Sequence, residues 1–573
     1  MTEYISDFET QKDPDTGVMS VWAWSIVEVD NLSNIQYGNN IETWLSAIQG
    51  LPNGSLIGFH NLKFDGSYIL SYLLGVAKWQ YNDDPKARKA KTVECLISSI
   101  GVHYNYRINF TKRKHVKIYD TLKIFNMSVS QIAKSFGIKE QKGSIDYASF
   151  RGYNYTMTPE EVEYITNDVI IVAKAIKQFR NEGHERNTIA SNAMRYYKQN
   201  SYYSNYEFLT YFPHLDDDLY HLLKRAYKGG YCYVNPKFKG KTVGHGRVYD
   251  VNSLYPSVMS DPRNKYPVGT PVFFEGKYKE DSIYPLYIQF ITAQFELKKG
   301  KIPTIQIKND KRFNPREHVI TTGCLMVNLY LTNIDLEMFY DCYNIKEIQY
   351  IGGYKFIGRS GIFIDYVNHF KEMKMQATIE KNAGKRSIAK LFLNSLYGKF
   401  GASNDKFVKR PYINDKGILA YQTVETPRPA KTVYVPVAAF VTAYARRFIQ
   451  TLFIKNVDRC CYCDTDSLHL IGDDPPEGVK ISDTEFNCMA HESSFLRAKF
   501  LGAKLYIEED EQGNLDVKAA GLGQNEVVKN QITFDNFNTE QEYFGILKSK
   551  TVQGGVELSE STFKIRERGT RFY

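Results

Sequence analysis

The sequence predicts a multidomain α/β protein, α+β in its overall arrangement, on three observations. With 573 residues, 43% of them hydrophobic, the chain can bury several cores, and about 150 residues per domain suggests three or four units. Strand-like and helix-like patterns alternate through the first half. That half also holds a complete helix-start signal, with Thr158 as N-cap, Pro159 in the first turn and Glu161 as capping-box partner. Apolar Val162, Ile165, Val169 and Ile176 continue it as a helix.

Residues 1 to about 190 therefore read as one α/β unit. An opening strand carries DFET, a second apolar segment SLIGFHNLKFDG follows, and the capped helix closes it. Asp7 and Glu9 stand two apart on a strand and so share a face. Asp65 follows the second segment, and Asp168 lies one helical turn after Tyr164. Four acids that converge repel one another. Divalent cations relieve that repulsion, and all-oxygen ligands suit Mg²⁺ or Mn²⁺. Two such ions about 4 Å apart can activate a water and stabilise the departing oxygen of a phosphodiester.

Further along, RVYDVNSLYPSVM (247–259) puts Asp250 at a strand end before a turn into a helix. KRSIAKLFLNSLYGKF (385–400) predicts a helix with a basic stripe. At about 100° per residue, Arg386, Lys390, Asn394 and Tyr397 share a sector of about 80°, apart from Ile388, Leu391, Phe392 and Leu396. Cations one turn apart that end in a tyrosine suit a triphosphate and its base or sugar. CCYCDTDSLHLIG reads as strand–turn–strand, which can present Asp464 and Asp466 at one tip against Asp250. Three acids from distant segments again predict two metals.

Composition excludes some classes. No basic flank with an apolar stretch opens the chain, and no run of about 18 apolar residues occurs, so a soluble intracellular protein without secretory signal or membrane span is expected. Eight irregularly spaced cysteines do not make a disulfide framework, which points to a reducing compartment. Cys460-x-x-Cys463 and Cys488-x-x-His491 imitate a zinc site, but the first pair lies in the apolar run RCCYCD, where small buried side chains suit a strand. No zinc is expected. Lys plus Arg exceed Asp plus Glu by 73 to 64, which is compatible with a polyanionic partner without establishing one. The 43 Tyr and 34 Phe include candidate stacking platforms for bases, although most must be core.

The order DFET, HNLKFDG, YITND, AYKGGY, DVNSLYPS, KLFLNSLYGKF, TAYAR, YCDTDS and AKLY resembles a family B DNA polymerase with a proofreading exonuclease. It is closely similar to the protein-primed members from small bacteriophages with linear genomes, of the Bacillus phage type, over nearly the whole chain. The resemblance implies an RNase H-like 3′–5′ exonuclease domain followed by a right-hand polymerase of palm, fingers and thumb with two inserted subdomains. The implied boundaries are 1–188 for the exonuclease, 189–259 and 436–529 for the palm, and 358–400 for the fingers. The first insertion, at the priming protein, would span 260–357; the second, for strand displacement and processivity, 401–435; the thumb, 530–573.

Residue roles follow by the same similarity. Asp250 and Asp466 would be the main polymerase metal ligands, with Asp464 adjacent and the Val251 carbonyl helping, two ions per active site. Tyr255 would pack under the deoxyribose, Lys374, Arg386 and Lys390 would hold the dNTP triphosphate, and Tyr397 would border the nascent base pair. Asp7, Glu9, Asp65 and Asp168 would carry the exonuclease metals, with Tyr164 orienting the water and Lys142 assisting at the scissile phosphate. His60, Asn61, Phe64, Thr121 and Leu122 would hold the frayed primer strand. Tyr227, Gly229 and Gly230 match an element linking the two activities, and Asn394, Thr442, Arg446, Lys504 and Tyr506 match DNA-contacting positions. The implied partners are primer-template and single-stranded DNA, dNTPs and a terminal priming protein. The implied setting is the cytoplasm of an infected bacterium, as a monomer or a heterodimer with the priming protein. Arg386 stands where relatives often carry Lys, Met127 where an aromatic is common, and a few extra residues lengthen the fingers after Lys374. A stand-alone nuclease would leave Asp250, Asp464 and Asp466 unexplained, and a nonenzymatic DNA binder would be weakened by two acidic clusters.

Overall fold

Along Glu3–Lys12 the residues alternate, with Phe8 buried and Asp7 and Glu9 half-buried beside it, as a strand with one packed face requires. The computed structural model describes residues 2–566 except 85, 141–142, 147–148, 153–154, 309, 404–406, 427–431 and 524. In it that strand is central to an eight-stranded mixed sheet. It pairs antiparallel with Met19–Glu28 and parallel with Leu56–Phe59, and a register irregularity falls between Glu9 and Thr10, at the acids. The helix Pro159–Asn181 begins at the expected capping box of Thr158 and Glu161 and packs across the first two strands.

A five-stranded antiparallel sheet forms the second centre. Its order is Met489–Phe495, Gly246–Val251, Ser467–Ile471, Cys460–Asp464 and Cys232–Val234. Helices Leu254–Ser260, Ala383–Phe400 and Pro436–Lys455 contact one another beside it. Pro436–Lys455 is long and apolar enough to cross a membrane, but most of it is buried within the protein, as suits a core helix.

Residues 265–360 build a separate four-stranded sheet with its own core around Phe295, Phe339 and Tyr343. The hairpins Phe407–Ile413/Leu419–Glu425 and Glu542–Val552/Gly555–Lys564 extend from the body. The tip of the second returns to the first sheet. Met19 N–H donates to Gln553 O at 3.0 Å, Tyr68 Oη donates to Val556 O at 2.6 Å, and Lys12 pairs with Glu557. Gly554 permits this docking: its φ is +85°, and a Cβ there would lie 2.0 Å from Met19 O.

The helix Ala383–Phe400 backs onto the first unit through an aromatic stack. His184 sits 4.3 Å from the Phe392 ring and 4.8 Å from Phe179, buried, with no hydrogen-bond partner on Nε2. Burial, reinforced by Arg180 and Arg195, pushes its pKa down to about 4, against about 6.5 in an unfolded chain. Between these values the unfolded chain binds a proton that the folded one refuses, so this contribution to stability is complete above about pH 6.5 and is lost as pH falls toward 4. His184→Phe is expected to flatten that part of the curve of thermal midpoint against pH; an unchanged slope would contradict this origin.

Candidate active sites

The first acidic site lines a cleft of ≈ 850 Å³. Asp7 and Glu9 enter from the strand, Asp65 from the first turn of Leu62–Leu70, and Tyr164 and Asp168 from the long helix, so the four predicted acids do line one space. His60, Asn61 and Phe64 border it, and Leu547, Val556, Glu557 and Leu558 of the C-terminal hairpin complete the wall. Asp65 is 3% exposed and its Oδ1 has no hydrogen-bond partner. Burial, and then the charges of Asp7 and Glu9, push its pKa well above the usual carboxylate range. Buried oxygen-only donors under mutual repulsion fit a hard divalent cation. Lys142 lies outside the described residues.

The second site sits where three strands end together. Asp250 pairs with Ser467 across the sheet, and Val251 N–H donates to Asp466 O at 2.8 Å, which ties the two distant segments directly. Thr465 turns the hairpin with φ +67°, held by its N–H to Tyr231 O at 2.8 Å. Burial, then Asp466 and Glu492, raises Asp250 to about 7, with Lys390 opposing. Burial, then Asp464, raises Asp466 to about 6. Asp464 behaves oppositely: burial pushes it up, yet hydrogen bonds from Cys232 and Lys504 bring it below its ordinary value. Among the described residues no three acidic, histidine or cysteine side chains already enclose a metal-sized point; the acids lie within one another's fields, and Lys390 and Lys504 offset their repulsion only in part.

Facing these acids, Tyr255 and Tyr397 stack with ring centroids 4.2 Å apart. The helix Ala383–Phe400 exposes Arg386, Lys390 and Asn394 and buries Ile388, Phe392 and Leu396, as its periodicity predicts. Lys374 comes from the preceding helix to the same cluster, its pKa lowered by burial and then by Arg386 and Lys390.

An acidic tip beside stacked tyrosines and a basic stripe is matched by kinship. Residues 148–484 match the family described as DNA polymerase type B, organellar and viral. The DNA polymerase of Bacillus phage Nf is 38% identical over 98% of this chain and 99% of its own. The chain belongs to the type B DNA polymerases. The polymerase is also 36% identical to that of Bacillus phage phi29 and 34% identical to that of Streptococcus phage Cp-1, each over 98% of this chain, with 99% and 98% of theirs covered. The solved phi29 DNA polymerase complexed with primer-template DNA and incoming nucleotide substrates superposes with a TM-score of 0.90 at 35% identity, covering 99% of this chain and 100% of that one. The phi29 enzyme complexed with single-stranded DNA gives 0.89 at 34%, with the same coverage. The relationship to phi29-type phage polymerases implied by the motifs therefore holds.

Some expected DNA-contacting residues are buried. Thr442 and Arg446 lie on the core helix at 1% and 4% exposure. The Thr442 hydroxyl donates to Ala438 O and Ala439 O of its own helix. Arg446 spends its guanidinium on Asp335, in a forked pair at 2.7 and 2.8 Å, and on the carbonyls of Lys228 and Gly229. Arg446 thus supports the Tyr227–Gly230 segment and Thr442 its own helix, and neither leaves a donor facing a surface. Tyr506 is likewise buried, among Tyr462, His469 and Phe500. Thr121 is fully buried; its hydroxyl donates to Phe59 O and meets His60 Nδ1 at 3.0 Å, so it orients His60. Cys460 and Cys463 lie on one strand and His491 on another, with Cys488 just before it, and two strands intervene, roughly 14 Å at about 4.8 Å per strand.

Two residues of the polymerase went unread in the sequence. Asp120, 2% exposed, accepts backbone N–H bonds from Asn61, Leu62 and Leu122 and so clasps the loops that carry His60, Asn61 and Thr121. An acid at the N-cap of the short turn Thr121–Lys123 was the available signal. Glu492 adds charge to the second site from the neighbouring strand, at a register irregularity that no sequence pattern announces.

Gly230 decides how closely the acidic turn is approached. A Cβ there would fall 2.6 Å from Thr465 Cγ2 and 2.7 Å from its Oγ1. Gly230→Ala is expected to displace the Asp464–Asp466 turn and lower nucleotide incorporation by roughly tenfold or more. Equal incorporation rates in a primer-extension assay would contradict this packing.

Proposed function

We propose that the polymerase replicates a linear phage genome from a protein primer, adding nucleotides at the Asp250–Asp464–Asp466 site and editing 3′ ends at the Asp7–Glu9–Asp65–Asp168 site. The observation that carries this reading is the main-chain bond between Val251 and Asp466, which commits acids from two remote segments to one sheet end opposite the Lys374–Arg386–Lys390 cluster. The phi29 enzyme has been solved with primer-template DNA, incoming nucleotide and single-stranded DNA, and the same ligands are proposed here.

When bound, two divalent cations per site, Mg²⁺ or Mn²⁺, would supply charge compensation and activation of the attacking oxygen. Asp250 and Asp466, with the Val251 carbonyl, would hold them for synthesis. Lys390, Arg386 and Lys374 would neutralise the dNTP triphosphate and guide pyrophosphate away. The Tyr255 ring, backed by Tyr397, would close the space a 2′-hydroxyl needs. In the other cleft, Tyr164 would orient the water and Lys142 would assist, while His60, Asn61 and Phe64 hold the unpaired 3′ strand. Arg386 keeps a phosphate-binding charge with a forked geometry rather than a point charge.

On this reading residues 1–188 are the exonuclease, 189–259 and 436–529 the palm, 358–400 the fingers and 530–573 the thumb. The insertions 260–357 and 401–435 meet the priming protein and surround DNA for strand displacement and processivity. The enzyme works in the cytoplasm of the infected host, alone or paired with its priming protein. Incubation with a candidate priming protein, radiolabelled dNTP and Mg²⁺, without a DNA primer, tests this: label should become covalently attached to that protein. Extension of DNA primers with no such transfer would refute protein priming and leave polymerase activity standing.

A further inference from the structure

We propose that Cys232 is a positioning residue of the nucleotide-adding site: its thiol, with the Lys504 ammonium, anchors Asp464 by a single carboxylate oxygen and so sets the acidic hairpin for a divalent cation. The inference rests on the role assigned above to Asp250, Asp464 and Asp466.

Cys232 begins the outer strand Cys232–Val234, directly opposite Asp464 in antiparallel register. Its Sγ lies 2.9 Å from Asp464 Oδ1, and Lys504 Nζ lies 2.7 Å from the same oxygen. Thr465 Oγ1 approaches that oxygen at 3.4 Å. Lys504 is itself aimed. It turns the chain with φ +55°, and its N–H donates to the hydroxyl of buried Tyr462 at 2.8 Å, two residues before Asp464. One clamp therefore descends from the strand Cys232–Val234 and the other from the turn before Leu505–Glu509, and they meet on one atom.

The two clamps are unequal. Lys504 is a long, half-exposed side chain that can follow Asp464 as it moves. The thiol is short and fixed to a strand, so it defines where Oδ1 must stay. A residue needed only for packing at this half-buried position has no use for a donor; a carboxylate that must hold one orientation beside Asp466 does.

Cys232→Val keeps the shape and removes the donor, while Cys232→Ser keeps a donor. The Val variant should need roughly three- to tenfold more Mg²⁺ for half-maximal nucleotide incorporation, with exonuclease activity unchanged, and Ser should stay near wild type. A second measurement uses no catalysis: Mn²⁺ binding followed by electron paramagnetic resonance, without DNA, in a background with Asp7→Ala and Glu9→Ala. Val should weaken the remaining Mn²⁺ binding by a similar factor and Ser should not. A Val variant equal to an active wild type in both measurements, or a Ser variant as impaired as Val, overturns the inference alone. A wild-type protein that extends no primer overturns the functional reading and this inference together.

Discussion

Asp250→Asn and Asp466→Asn are each expected to reduce primer extension by roughly 1,000-fold or more while 3′–5′ degradation continues. Asp466 helps to raise Asp250 and is itself raised by Asp464, so each replacement removes a carboxylate from this crowded tip, and with it charge that would hold a cation. Loss of about 4 kcal/mol of transition-state stabilisation corresponds to that factor, and a metal-held phosphoryl oxygen is worth several kcal/mol. The fold should survive, because relieving the repulsion between buried like charges costs the metal-free protein nothing. Asp250 is also held by main-chain pairing on both flanks, to Ser467 and Ala490, which Asn preserves. The check is primer extension and single-strand degradation on the same preparations. Parallel loss of both activities in a folded variant would show that the sites are not independent.

The reciprocal result is expected for Asp7→Ala combined with Glu9→Ala. Degradation of single-stranded DNA should fall by roughly 1,000-fold or more, with extension of a matched primer preserved. The strand Glu3–Lys12 keeps its pairing on both sides, so the sheet is not at risk. Removing both charges should also let the buried Asp65 titrate nearer to an ordinary carboxylate, since these two acids reinforce the effect of burial on it. Misincorporated ends should then persist, seen as mismatched termini retained in full-length product that the wild type is expected to trim first.

Much of this was legible because it is local. The Thr158 capping box needs four consecutive residues, the pairing of Asp7 with Glu9 on one face needs a period of two, and the Arg386–Lys390–Asn394 stripe needs a period of 3.6. What stayed hidden depends on partners far away in the chain. Arg446 reads as a surface cation from its motif, and only the fold reveals Asp335 beside it in the interior. Asp120 is an unremarked acid until two segments close around it, and the wall that Leu547, Val556 and Leu558 add to the first cleft arises from contacts across most of the chain. Neither a period nor a motif encodes such meetings. The family resemblance did carry the assignment of the acids, since spacing alone could not say that Asp250 and Asp466 share a sheet end.

Two separate groups of carboxylates are each expected to take divalent ions. Anomalous diffraction from crystals grown with Mn²⁺, DNA and a nonreactive dNTP analogue tests it most directly. Manganese peaks are expected within ligand distance of Asp250 and Asp466, and a distinct set within reach of Asp7, Glu9, Asp65 and Asp168. Manganese absent from the Asp250–Asp466 tip, with the analogue bound against Arg386 and Lys390, would contradict it.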